Sequence, residues 1–232
     1  MANHLGHFAQ GNQTAARGLF MGGVTHRFPN LRFAFLEGGI GWACTLYTDL
    51  IAHWQKRNRK AIQDMDPAKF DAVELGRLLE ENGYDHATVE AIMKDHVDPH
   101  EPFQQQAHLS DRDRAGDDFW AVPLDSEADI TRLFVERFYF GCEADDPTTS
   151  WAFDRRGKPA PRPIFSSDIS HFDVPDMTRV LEEAWELVED GLIGEEHFKQ
   201  FTFSNAVRLH TAADPDFFKG TAVESAAKAF MS

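Results

Sequence analysis

Phe165-Ser166-Ser167-Asp168-Ile169-Ser170-His171 is the stretch that decides how this chain is read. Apolar Pro163 and Ile164 precede it, and the turn-forming run Asp173-Val174-Pro175-Asp176 follows before an amphipathic segment begins. The pattern predicts a strand that ends at an acid, then a polar turn, then a helix returning over the sheet. In parallel α/β barrels, side chains at that end of a strand build the active site. The same layout recurs at Glu37 and at Glu143. Three strand-end acids point to a metal or acid–base site, although few histidines accompany them.

Outward from that stretch, two further apolar runs read as strands, 31–36 and 138–142, with the third over 163–167. Near-continuous apolar character is expected of strands covered on both faces. Glu37 is followed by Gly38-Gly39, which permit a tight turn and close backbone approach. Helical spacing of apolar residues predicts helices over 8–20, 42–57, 129–135, 195–203 and 205–209. A further helix over 176–190 takes Asp176 as N-cap and Gly191 as its stop. Between 58 and 129 charge is dense and prolines punctuate short helical patterns at 70–82 and 87–94. This stretch is expected to be a helical insertion that extends the core without forming it. The tail after Asp214-Pro215 is expected to pack only locally. Strands each followed by helical material make an α/β protein with a parallel sheet. Three strands alone do not close a barrel.

Composition limits the partners. With 232 residues and 42% apolar content, including 20 Phe and 5 Trp, the chain can bury a sizeable core. A net charge of −15 leaves no basic excess to neutralise phosphates, which argues against nucleic acid or an anionic membrane. Two cysteines, Cys44 and Cys142, are too few to staple a domain this large, so a reducing, cytoplasmic setting is expected. No apolar run is long enough to span a bilayer, and the first residues lack the pattern of a signal peptide.

Three segments carry a resemblance. Residues Arg27-Phe28-Pro29-Asn30-Leu31-Arg32-Phe33-Ala34-Phe35-Leu36-Glu37-Gly38-Gly39-Ile40-Gly41-Trp42 resemble the "RFPdLrfaflEgGxGW" segment of the amidohydrolase-related metal-dependent hydrolases. This is the branch that includes aminocarboxymuconate-semialdehyde decarboxylase. The run 165–171 is similar to that family's "fgSDyPH" motif on strand eight. Phe203-Ser204-Asn205-Ala206-Val207-Arg208-Leu209 is similar to its closing "xxNaxrl" helix. The three occur in the family's order. The resemblance implies the C-terminal part of a (β/α)8 TIM-like barrel, a single partial domain over 1–232 with the helical insertion 58–129 inside it.

The resemblance also implies a divalent metal at the C-terminal mouth, zinc first. In the family an HxH pair on strand one, a His on strand five and an Asp on strand eight hold it. Asp168 matches that Asp and is the expected metal ligand. The HxH pair has no counterpart, since His4 and His7 are three apart and precede strand six. The strand-five His would lie upstream of Met1, which would then be an internal methionine of a longer frame or the start of a truncated gene. Many relatives have His where this chain has Glu37, a departure that bears on any decarboxylase-like proton transfer.

The expected catalytic residues are Asp168, Glu37 and His171. Asp168 would hold metal or move a proton. Glu37, at the end of a buried strand, is costly unless paired or facing a metal. His171 would orient Asp168 or touch substrate, and a structural turn His is the equal alternative. Glu143 is balanced between site and surface, Asp145 and Asp146 read as an ordinary turn, and His4 and His7 are weaker candidates. The leading function is a metal-dependent hydrolase or decarboxylase acting on a small organic molecule, incomplete in this chain. The alternative is a catalytically silent half-barrel, partnered by a second copy or by an N-terminal half-barrel.

Overall fold

The computed structural model describes residues 5–65, 71–96, 117–153 and 159–232. The chain forms two compact units, one of residues 1–52 with 121–232 and one of residues 53–120.

The first unit is built on three short strands, β1 (Phe33–Phe35), β2 (Phe138–Cys142) and β3 (Arg162–Phe165). They lie in the order β1-β2-β3, all parallel, with Phe35 beside Phe140 and Phe140 beside Pro163. The central strand is buried along its whole length, as its unbroken apolar sequence predicts. Strand ends differ from the sequence reading by one or two residues. β3 takes in Arg162 at its start and stops at Phe165, because the chain turns at Ser166–Asp168. Parallel pairing puts the C-terminal ends of all three strands, and so Glu37, Glu143 and Asp168, along one edge of the sheet.

Helices cover one face. Helix α1 (His7–Met21) precedes a short helix, α2 (Val24–Arg27), and α3 (Gly41–Arg57) follows β1. Phe20 of α1, together with Trp42 and Tyr47 of α3, meets the strand aromatics and Phe134. Ring centroids lie 6.1 Å apart for Phe20–Phe134, 5.1 Å for Phe134–Phe138, 5.2 Å for Trp42–Phe140 and 5.2 Å for Phe35–Phe138. Such pairs contribute roughly 0.5–1.5 kcal/mol each beyond their buried area. The Tyr47 hydroxyl keeps a polar partner inside this cluster, Thr131 Oγ1 at 2.7 Å.

The second unit begins within the last turns of α3 and ends at 120, and most of the expected insertion 58–129 falls within its bounds. Residues 121–129 belong with the sheet: Val122 is buried, and the Asp129 carboxylate accepts the Ser126 N–H at 3.0 Å to start the next helix. In the second unit, α4 (Ala72–Glu81) starts at Asp71, whose Oδ1 accepts from Glu74 N at 2.9 Å, and packs on α5 (His86–His96). His53 Nε2 and Asp118 Oδ2 meet at 2.8 Å, and Arg59 N donates to Asp117 at 3.0 Å, tying the two ends of the unit. No strand occurs among its described residues. Parts of the expected 58–129 insertion fall outside the described residues.

Back in the first unit, α6 (Glu127–Phe134) leads into β2 and buries Ile130, Leu133 and Phe134. Helix α7 (Val180–Glu189) starts later than expected. Asp176 is not its N-cap, because its Oδ1 is taken by Thr178 N at 3.0 Å and Thr178 Oγ1 at 2.6 Å, holding 176–178 as a turn. Gly191 does end the helix, in the left-handed conformation that admits glycine most easily.

The next two expected helices form one run: α8 (Glu195–Lys199), a π turn (Gln200–Ser204) and α9 (Asn205–Thr211). Asn205 is buried and donates its Nδ2 to the Pro163 carbonyl of β3 at 2.8 Å, which fixes this run on the sheet. The tail does more than pack locally. It forms α10 (Glu224–Met231), which buries Ala227 and sets Phe230 beneath the Arg208 guanidinium at 4.7 Å.

Candidate active site

At the C-terminal edge of the sheet the chain turns sharply three times. Among the described residues, the only non-glycine positions with positive φ are Glu37 (57°), Asp168 (51°) and Ser170 (92°), and all three lie there. Such conformations cost roughly 1–3 kcal/mol each and collect at functional sites. The two glycines that matter most are also here. Gly39 has φ 62°, and a Cβ on it would sit 2.6 Å from Asp146 Oδ2. A Cβ on Gly141 would meet Ser166 Oγ at 2.6 Å and Leu36 Cα at 3.2 Å, so glycine eases the close passage of β2 against the turns after β1 and β3.

Asp168 closes that turn. Its carbonyl accepts from His171 N at 3.1 Å, which brings His171 Nδ1 to 3.1 Å from Asp168 Oδ1. Asp168 is 23% exposed and His171 56%. Asp173 joins them: one ligand atom from each of Asp168, His171 and Asp173 lies within 4.8 Å of the others. Two carboxylates and an imidazole are a donor set suited to a borderline divalent cation such as zinc. Tetrahedral zinc with bonds near 2 Å holds its ligands about 3.4 Å apart, a spacing close to the 3.1 Å between His171 Nδ1 and Asp168 Oδ1. The set fits a metal in chemistry and number. With His171 and Asp173 exposed, it is an open site and not an enclosed cage.

A cleft of about 320 Å³ runs beside Asp168, walled by Glu143, Asp145, Ser167, Asp173 and the first turns of α7. Its lining is acidic, and Arg179 in it already donates its Nε to Glu182 at 2.9 Å. The Glu143 carboxyl is pushed up from its ordinary value of 4.5, first by desolvation and then by the charges of Asp168, Asp145, Asp146 and Asp173. Glu143 therefore keeps its proton to higher pH than a free glutamate would.

A second cleft, about 510 Å³, lies on the β1 side and is lined by His7, Phe8, Glu37, Trp42, Glu143 and Asp145, among others. Glu143 and Asp145 form the wall that the two clefts share. The expected trio is thus divided. Asp168 and His171 come together, whereas Glu37 is solvent-exposed and faces the neighbouring cleft. His7 lines that second cleft, and His4 lies outside the described residues. Asp146 has the ordinary role expected of it: its Oδ1 accepts from Thr148 N at 2.9 Å and from Thr148 Oγ1 at 2.7 Å.

Sequence reasoning passed over Asp173, which looked like part of the turn before α7. The signal available was its spacing, five residues after Asp168 and two after His171 in a loop too short to separate them. Glu143 was marked by its place at the end of β2, which left it balanced between site and surface, whereas Asp145, read as an ordinary turn residue, also lines both clefts. No family model matches the chain, and neither the curated proteins nor the solved structures contain a match.

Proposed function

We propose that this chain carries part of the active site of a metal-dependent hydrolase or carbon–carbon lyase of the amidohydrolase-related kind, acting on a small organic molecule. The observation that carries the reading is Asp168 at the C-terminal end of β3, with His171 and Asp173 in ligand reach. It sits where parallel α/β enzymes place their chemistry, and within the motif that resembles the family's strand eight. Asp168, His171 and Asp173 would hold the ion. A bound divalent metal there would polarise a substrate and lower the pKa of a coordinated water. Glu143, protonated to higher pH by its surroundings, would give or take a proton in the same cleft. Glu37 would act from the adjoining cleft. The acidic lining favours a cationic ligand over an anionic one.

The second reading, a half-barrel without turnover of its own, is favoured by the sheet. Each outer strand pairs only with β2 among the described residues, leaving two edges of unpaired backbone. Ala34 and Leu36 are exposed on β1 and the residue following it. A second copy or an N-terminal half-barrel would cover such edges. Cys44 and Cys142 are both buried, and a reducing, cytoplasmic setting would keep them as thiols. No helix among the described residues is long and apolar enough to cross a membrane.

Calorimetric titration of the chain with zinc and with manganese tests both readings. Binding weaker than about 1 µM, lost in Asp168→Ala, is the expected result and fits an incomplete site. Submicromolar binding abolished by Asp168→Ala would establish a complete site and remove the half-barrel reading. Binding unchanged in Asp168→Ala, or none at all, would end the metal-enzyme reading.

A further inference from the structure

The opposite edge of the sheet is basic. Arg32 immediately precedes β1, Arg137 immediately precedes β2, and Arg162 is the first residue of β3. The register, with Phe33 paired to Phe138, sets Arg32 beside Arg137, whose carbonyl accepts from Phe33 N at 2.9 Å, and sets Arg162 beside Tyr139, two residues further along β2. Neighbouring strands are about 4.8 Å apart, so the three arginines share one end of the sheet, and Arg137 feels the charges of both Arg32 and Arg162. Arg208 of α9 adds a fourth charge that acts on Arg162's neighbourhood.

In a chain of net charge −15, acids are the abundant partner. Yet among the described residues none of Arg32, Arg137, Arg162 and Arg208 forms a carboxylate ion pair. Glu136 exerts some attraction on Arg137, and Arg132 nearby is neutralised by Asp129 at 3.0 Å. Arg32 Nη1 donates to the Pro29 and Leu31 carbonyls, both at 2.9 Å, and Arg162 Nη1 to the Tyr139 hydroxyl at 2.8 Å. These bonds hold the two side chains in place and leave most of their N–H donors free. Arg137 Nε is buried and finds no acceptor among the described residues. Burial, then repulsion from Arg32, Arg132 and Arg162, makes the Arg137 charge costlier to hold than that of a solvated arginine. Like charges gathered and partly desolvated without a counter-charge are unfavourable in themselves. An anion seated among them removes the cost.

We propose that the N-terminal end of the sheet is an oxyanion site in which Arg32, Arg137 and Arg162 together bind one phosphate group, inorganic or as a monoester. Phosphate fits better than a carboxylate. Three guanidinium forks need more than the two oxygens of a carboxylate, and a phosphate monoester presents three at a charge of about −1.5 to −2. The site lies at the other end of the sheet from the candidate metal ligands, so it does not depend on the proposed chemistry.

The test is calorimetric titration of the full chain with inorganic phosphate, in chelator-treated low-salt buffer, with citrate and sulfate in parallel. Saturable one-to-one phosphate binding is expected, weakened about 10- to 100-fold by Arg137→Gln or Arg162→Gln and reduced by added chloride. Arg77→Gln removes the same charge from α4 and is expected to leave it unchanged. Arg32→Gln provides a variant at a less buried position should Arg137→Gln misfold, with circular dichroism as the check on folding. Equal phosphate binding by wild type and folded Arg32→Gln and Arg162→Gln would overturn the proposal. So would citrate binding well above phosphate, or the absence of any saturable anion binding. Self-association abolished by these variants without phosphate binding would overturn it in favour of an acidic segment of a second copy.

Discussion

The two ends of the three-stranded sheet are opposites built on one support. At the C-terminal end, Glu37, Glu143 and Asp168 leave the strands into strained turns and shallow acidic clefts. At the N-terminal end, Arg32 and Arg162 are held by hydrogen bonds, Arg137 Nε is buried without an acceptor, and none of the three forms a carboxylate ion pair among the described residues. Parallel pairing is the cause of the contrast. In an antiparallel sheet, residues that follow one strand sit beside residues that precede the next, and the acids and arginines would have neutralised one another in pairs. Here each sign collects at its own edge. The local conflict is the same in both places, but one edge suits a cation and the other an anion.

The largest effect is expected from the shared support. Phe140 is fully buried on the central strand, with Trp42, Phe35 and Phe134 around it. Phe140→Ala is expected to cost about 3–5 kcal/mol in denaturant unfolding and to weaken ligand binding at both edges together. Loss at one edge only would mean that the ends do not depend on a common sheet.

Strain relief separates the edges. Ser170, at φ 92°, holds the turn between Asp168 and His171. Ser170→Gly is expected to stabilise the chain by about 1 kcal/mol, to weaken zinc binding and to leave phosphate binding alone. A drop in melting temperature would show that the turn is held by contacts of the serine and not against strain.

Glu143 gives a pH signature. Its folded value lies above its ordinary 4.5, so the native state holds this proton more tightly than the unfolded chain. Its favourable contribution is therefore complete below 4.5 and is lost as pH rises through the folded value. Glu143→Gln cannot ionise. Its melting temperature should match wild type in acid and exceed it increasingly above that range. A constant offset at all pH values would remove Glu143 as a titrating group of the site.

The smallest effect is expected outside the sheet. Arg77 on α4 pairs with Glu74 at 2.6 Å and with Glu81, all well exposed. Arg77→Ala should change neither binding nor stability measurably, because solvent screens such pairs. A clear loss of stability would show that the second unit leans on these charges more than its contact geometry implies.

Sequence alone determined the elements that depend on local pattern. The apolar runs around Phe35, Phe140 and Ile164 marked strands, of which β2 alone is buried along its whole length while Ala34 of β1 is exposed; the spacing around Trp42 and Leu46 marked a helix, and Gly191 a helix end. These follow from side-chain period and backbone preference, which act within a few residues. Asp168 and His171 were likewise legible, since one tight turn brings them together. The tertiary structure decided the rest. Asp176 was taken by Thr178 and lost its capping role, the tail became α10 because Phe230 found Phe203 and Arg208, and residues 121–129 joined the sheet-bearing unit. Glu37 and Asp168 share an edge but not a cleft, and Glu143 became the wall between them. The arginine edge had no sequence signature at all, because Arg32, Arg137 and Arg162 are far apart in the chain. Only strand register, set by long-range backbone pairing and aromatic packing, made neighbours of them.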